Sequence, residues 1–164
     1  MSVFSAELRS RATEVLAQYR AAGLTVATAE SCTGGLVAAC LTEIAGSSDV
    51  VERGFVVYAN AAKVELLGVR EATLERHGAV SAETAREMLA GALARSPADL
   101  VVAITGIAGP GGGSAEKPVG LVFIGVQQRG RDAVIERQVF AGDRAEVREA
   151  SLGRALGLLL DAAG

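Results

Sequence analysis

The run Thr28-Ala29-Glu30-Ser31-Cys32-Thr33-Gly34-Gly35 places a serine where a short apolar stretch, Leu24 to Ala29, gives way to a helix-forming one. At such a junction the first backbone N–H groups of the helix have no intrahelical partner and carry partial positive charge. An oxygen acquiring negative charge there is stabilised. Gly34 and Gly35 remove side chains that would keep a substrate from those groups. A second run, Tyr58-Ala59-Asn60-Ala61-Ala62-Lys63, supplies the basic groups that an activated serine needs. The two runs imply a serine-type amidohydrolase.

Each of these residues also has an ordinary reading. A serine before a helix is commonly its N-cap, although Thr33, two positions on, can cap instead and leave Ser31 free. With Asn60 as N-cap, Lys63 takes the third helical position, where the helix dipole opposes its charge. Bringing a lysine from about 10.4 to near 7 takes roughly 4 to 5 kcal/mol, against about 1 kcal/mol from a dipole, so burial has to supply the rest. The alternative is a solvated surface lysine. Tyr58 either relays a proton between Ser31 and Lys63 or packs half exposed at a strand end. Cys32 is the rival nucleophile, or a small thiol buried in a helix. His77, the single histidine, precedes Gly78 at a helix end, which explains it without chemistry. One histidine leaves little material for a Ser-His-Asp triad, and no Cys/His cluster suggests zinc. Neither a metal nor a cofactor is expected.

The glycine-rich run Thr105-Gly106-Ile107-Ala108-Gly109-Pro110-Gly111-Gly112-Gly113 follows the apolar run Leu100 to Ile104. It lacks the Gly-Lys-Ser/Thr of a Walker loop, and a strand rather than a helix follows it, which disfavours nucleoside triphosphates and NAD. Its backbone can still wrap a single phosphate, with Lys117 as counter-charge and Gly106 and Gly109 giving close access, or it is a plain surface loop. The candidate substrate-binding residues are therefore Glu30, Thr33, Gly34, Gly35, Asn60, Thr105, Gly106, Ala108 and Gly109.

Positioning these groups requires a layered α/β scaffold. Helical spacing runs from 6 to 22 and stops at Gly23; strands are expected at 24–29, 55–58, 100–104, 119–126 and 134–140. Further helices are expected at 33–45, at 61–67 with Gly68 as stop, at 82–95 capped by Ser81, and from the Asp143 cap to near Leu160. That order predicts a three-layer α/β/α sandwich with a mixed sheet of about five strands, as one domain over residues 1–164. Half of the 164 residues are hydrophobic and only 4% aromatic, which suits closely spaced α/β layers. A mean hydropathy of +0.34 suggests apolar surface covered in a homo-oligomer. The net charge of −3 is spread out, without a basic cluster for nucleic acid, and no apolar stretch is long enough for a membrane span. A cytoplasmic protein is expected. Cys32 and Cys40, eight positions apart along one helix, are about 12 Å from each other and cannot pair.

Taken together, several stretches resemble the CinA C-terminal domain family, the competence/damage-inducible group. They are Ala29 to Gly35, Gly54-Phe55 with Tyr58-Ala59-Asn60 and Lys63, Leu66 to Val69, Glu75 to Ser81, Thr105 to Pro110, Lys117 to Gly120 and Phe140 to Arg144, in order over residues 24 to 150. Ala59 departs from the pattern, standing where a small polar residue is expected. The resemblance implies hydrolysis of the carboxamide of nicotinamide mononucleotide, a small-molecule nucleotide, to nicotinic acid mononucleotide and ammonia. It also implies Ser31 as nucleophile, Lys63 as base and Tyr58 as its partner. A nucleotide-binding module without chemistry, or an amidase for another small phosphorylated amide, is the alternative.

Overall fold

Every residue of β1 (Val26–Glu30) is buried, because the strand has neighbours on both edges and helices on both faces. It pairs in parallel with β2 (Val51–Val56) on one side and β3 (Leu100–Gly106) on the other. Then β4 (Leu121–Gln128) and β5 (Val134–Val139) add antiparallel, giving the order β2-β1-β3-β4-β5 in the computed structural model of residues 1–164. The helices are α1 (Ala6–Ala22), α2 (Leu36–Thr42), α3 (Asn60–Leu67), α4 (Glu71–His77), α5 (Ala82–Ala94) and α6 (Arg144–Ala163). The chain is thus the expected three-layer sandwich around a mixed five-stranded sheet.

Strand alternation divides the core in two. Val26, Leu100, Val102, Ile104, Val122 and Ile124 face α1, α2 and α6, while Ala27, Ala29, Val101 and Ala103 face α5 and the end of α3. Small residues on the second face let α5 lie close. At Gly125 a Cβ would sit 2.9 Å from Leu89 Cδ1, and at Gly91 only 1.8 Å from the Leu67 carbonyl oxygen. From β1 the chain proceeds to β2 on one side and later to β3 on the other. The carboxyl ends of these strands therefore bound a crevice at the switch in strand order, where α/β proteins bind ligands.

Several boundaries move. Strand β1 starts at Val26 instead of Leu24, β4 starts at Leu121 instead of Val119, and α6 continues to Ala163. Strand β2 runs over 51–56 rather than 55–58, because its register is set by pairing with β1 and its edge position lets Glu52 and Arg53 face outward. Tyr58 consequently lies past the strand. Helix α2 begins at Leu36, not Thr33, since Gly34 and Gly35 adopt φ of 58° and 101°, which a helix cannot include. No helix is long and apolar enough to cross a membrane.

Gly91→Ala tests the close packing of α5 on α3. Helix propensity would favour alanine by about 1 kcal/mol, but overlap with a backbone oxygen has no flexible side chain to yield, so the net effect is a loss of about 1 to 3 kcal/mol. A lowered urea midpoint is expected; a midpoint at or above wild type would contradict this packing.

Candidate active site

Ser31 leaves the end of β1 with its N–H donated to the Ile104 carbonyl oxygen at 2.9 Å, while its own carbonyl accepts from Gly34 N–H at 3.0 Å. The turn is tied to the following helix by the Glu30 carboxylate. Fully buried, it accepts from Thr33 Oγ1 at 2.7 Å, Val37 N–H at 2.9 Å and Ala38 N–H at 3.2 Å. An acidic side chain satisfying the free N–H groups at a helix start is favoured by both hydrogen bonding and the dipole. Capping of α2 therefore falls to Glu30 rather than to Thr33, and Ser31 is left uninvolved, as its chemistry would require. The same arrangement places four of the residues expected to contact substrate. The Glu30 carboxylate and the Thr33 hydroxyl are engaged with each other inside the turn and Gly34 and Gly35 serve its backbone path, so none of the four offers a side chain to the cleft, while the Thr33 N–H is left without a backbone acceptor.

Lys63 comes from α3, whose N-cap is Ala59 and not Asn60. Lacking a polar side chain, Ala59 caps nothing, and Lys63 becomes the fourth helical residue, its N–H bonded to the Ala59 carbonyl at 3.2 Å. Gly68 ends the helix in the left-handed conformation, as expected. The Lys63 side chain is 1% exposed, and its Nζ lies 3.0 Å from Ser31 Oγ and 3.2 Å from the Tyr58 carbonyl oxygen. Burial pushes the amine below its ordinary value, and the nearby Cys32 thiol opposes this weakly. Ser31 and Lys63, 32 positions apart, thus share a buried hydrogen bond.

The Tyr58 hydroxyl does not sit between them. The amine reaches Ser31 directly, and the half-exposed Tyr58 ring carries its hydroxyl to Arg144, whose Nη2 donates to it at 2.8 Å. Arg144 Nη1 donates to the Gly109 carbonyl at 2.8 Å, so one guanidinium links the loop after β2 to the loop after β3. Arg144 is placed by the Asp143–Glu146 capping box at the head of α6. Sequence reasoning gave Arg144 no role. The available signal was a cation in the first helical position, where the dipole disfavours it.

These groups open onto a cleft of about 270 Å³ lined by Ser31, Cys32, Tyr58, Asn60, Lys63, Ala79, Val80, Thr105, Gly106, Ile107, Ala108, Gly109, Gly111, Gly112 and Arg144. Asn60, Thr105, Gly106, Ala108 and Gly109 are therefore at the site, partly for other reasons than foreseen. Thr105 donates its hydroxyl to the Ala79 carbonyl at 2.7 Å, fixing the Ala79–Val80 wall that the sequence did not suggest. A Cβ at Gly106 would lie 2.9 Å from the Leu121 carbonyl oxygen, and one at Gly109 2.5 Å from Val119 Cγ1, so packing against the chain leading into β4 requires both glycines. Lys117 is not the counter-charge of this loop. Its amine donates to the His77 carbonyl outside the cleft, and Lys63 and Arg144 are the basic residues lining it.

Burial holds the Cys32 thiol up at about 11, which disarms the rival nucleophile although it lines the cleft. Cys32 and Cys40 are both free and buried. His77 ends α4, as its explanation at a helix end required, with Nδ1 3.7 Å from Glu83.

Comparison with known proteins points the same way. Residues 8–163 match the model of the CinA C-terminal domain. The nicotinamide-nucleotide amidohydrolase PncC of Escherichia coli (strain K12) is 50% identical over 150 residues, 92% of this chain and 91% of that protein. Its namesake from Enterobacter agglomerans is 52% identical over 141 residues, 86% of each. Among solved structures, the competence/damage inducible protein CihA from Agrobacterium tumefaciens superposes with a TM-score of 0.96 at 50% identity, over 98% of both chains.

A buried amine with a lowered pKa leaves a thermodynamic signature. Between the folded and the unfolded pKa the unfolded chain binds the extra proton, so the contribution of Lys63 to stability rises with pH there, and its penalty is greatest below the folded value. Urea unfolding of Lys63→Met beside wild type should show the wild type gaining on the variant as pH climbs from neutrality toward 10. A stability difference flat with pH would mean the amine is solvated and charged as usual.

Proposed function

The chain belongs to the CinA C-terminal domain family, and we propose that it hydrolyses the carboxamide of nicotinamide mononucleotide to nicotinic acid mononucleotide and ammonia. The observation that carries this reading is the buried 3.0 Å contact between Lys63 Nζ and Ser31 Oγ at the floor of the cleft. The substrate is suggested by the relatives named for nicotinamide-nucleotide hydrolysis.

Neutral Lys63 takes the Ser31 proton as Oγ bonds to the carboxamide carbon, and the carbonyl electron pair moves onto its oxygen. The N–H groups of Cys32 and Thr33, which donate to no backbone acceptor, receive that oxyanion. When the pair returns, the carbon–nitrogen bond breaks, and the Lys63 ammonium gives its proton to the departing nitrogen as ammonia. Water then adds to the acyl-serine, with Lys63 accepting its proton; the ester bond breaks, and Ser31 is reprotonated. Burial without a carboxylate among the amine's hydrogen-bond partners is what keeps it neutral enough to start the cycle.

The substrate phosphate pairs with Arg144 rather than Lys117. The apolar Ala79–Val80–Ile107 wall suits the pyridine ring. Tyr58, whose hydroxyl oxygen is engaged by Arg144, keeps its own proton for the ligand and acts in orientation, not in proton relay.

Ammonia release from nicotinamide mononucleotide should fall more than about 1,000-fold in Ser31→Ala and in Lys63→Ala. Near wild-type release by either would remove that residue from the mechanism, whereas ligand binding with no release by the wild type would indicate a binding module. For the phosphate, Arg144→Gln should raise KM for the mononucleotide by about 10- to 100-fold, the range for losing a charged hydrogen bond, and leave the riboside nearly unchanged. Equal losses on both substrates would refute that assignment.

A further inference from the structure

Arg148 lines neither the cleft nor the Ser31–Lys63 contact, yet its guanidinium grips the turn that carries the nucleophile. Its Nε donates to the Cys32 carbonyl oxygen at 3.1 Å and its Nη2 to the Thr33 carbonyl oxygen at 3.2 Å. It lies four residues after Arg144, on the same side of α6. Two neighbouring carbonyls held by one planar fork is an arrangement that fixes peptide orientation as well as position.

That orientation matters because the carbonyl and the N–H of a trans peptide point in opposite directions. Drawing the Cys32 carbonyl toward α6 turns the Thr33 N–H away from α6. Helix α6 shares a layer with α1 and α2, whereas α3, which carries Lys63, packs with α5 on the other face of the sheet. Peptide planarity therefore leaves the Thr33 N–H facing away from α6, the layer opposite the one that supplies Lys63, and no backbone carbonyl accepts it.

The turn has other anchors, and two of them, Leu36 N–H to the Thr33 carbonyl at 3.1 Å and Gly34 N–H to the Ser31 carbonyl at 3.0 Å, hold the Thr33–Gly34 peptide, but none reaches the Cys32 carbonyl. Ser31 N–H is held by Ile104, and Glu30 holds Val37, Ala38 and the Thr33 hydroxyl. The two peptides after Cys32 run into Gly34 and Gly35, at φ of 58° and 101°, which offer little steric resistance to rotation. Arg148 is the side chain that grips both carbonyls of this stretch.

We propose that Arg148 is a positioning residue for amide hydrolysis, holding the Cys32–Thr33 peptide so that its N–H meets the developing oxyanion. The proposal rests on the hydrolytic reading of Ser31 and Lys63. A donor displaced from the transition-state oxygen lowers turnover and leaves ground-state binding largely intact.

The test compares wild type, Arg148→Met and Arg148→Lys, with Ser31→Ala as control. In Arg148→Met, kcat for nicotinamide mononucleotide should fall by about 100-fold while KM stays within about threefold. The rate at which an uncharged fluorophosphonate labels Ser31 should fall in parallel, since its phosphoryl oxygen uses the same donors. The acid-side midpoint of the pH profile of kcat/KM should not move, because Lys63 is untouched. Arg148→Lys, able to hold one carbonyl at a time, should fall between the two and decides the matter by the same readouts if the methionine variant does not fold. Unchanged kcat, a loss confined to KM, or a shifted acid-side midpoint would overturn the role of Arg148. If the wild type releases no ammonia, or Ser31→Ala still does, the hydrolytic reading fails and the positioning role falls with it. Normal controls beside a fully active Arg148→Met would refute the positioning role alone.

Discussion

Burial of the Lys63 amine is the constraint around which the rest of the site is arranged. A lysine ammonium is among the most strongly hydrated side-chain groups, and removing it from water disfavours the charged form unless a carboxylate compensates. Here its partners are a hydroxyl and a peptide carbonyl, both of which a neutral amine satisfies. The price of hiding this side chain is met by the packing of α3, whose Leu67 lies fully buried against the α5 side of the sheet. Without that close packing the amine would reach solvent and hold its proton.

The scaffold follows from the same need. Ser31, Tyr58 and Gly106 come from the ends of three parallel strands, so one edge of the sheet gathers residues far apart in the chain. Alanines on the α5 face of β1 and β3 thin that layer, bringing α3 and α5 near enough for Lys63 to reach across to Ser31. Opposite them, α6 delivers Arg144 over the mouth of the cleft and Arg148 under the nucleophile turn. The nucleophile turn is thus held from both helical layers, by Lys63 of α3 and by Arg148 of α6.

Two local preferences are broken at this edge of the sheet. Arg144 heads α6 and Lys63 lies in the opening turns of α3, both basic residues near the positive end of a helix, as Arg70 is at the N-cap of α4. Ser5, Ser81 and Asp143, by contrast, cap their helices as preference dictates. Arg144 and Lys63 open onto the same cleft, where a guanidinium can meet an anion and the positive helix end disfavours the Lys63 ammonium.

Much was legible in the sequence because it depends on short-range chemistry. Alternating and continuous apolar runs specified strands between helices, glycines marked the stops at Gly23 and Gly68, and a serine at a strand-to-helix junction together with a lysine early in a helix marked the reactive pair. Residue types alone could not say that Glu30 and not Thr33 caps α2, that Ala59 precedes α3 without capping it, or that Tyr58 turns outward to Arg144. Those outcomes are set by partners 7 to 86 positions away, which compete for the same hydrogen bonds once the layers close. Local sequence determined which groups were present and what each could do; only the packed sheet and its two helical layers decided which of them meet, because burial and long-range pairing act between elements and not within them.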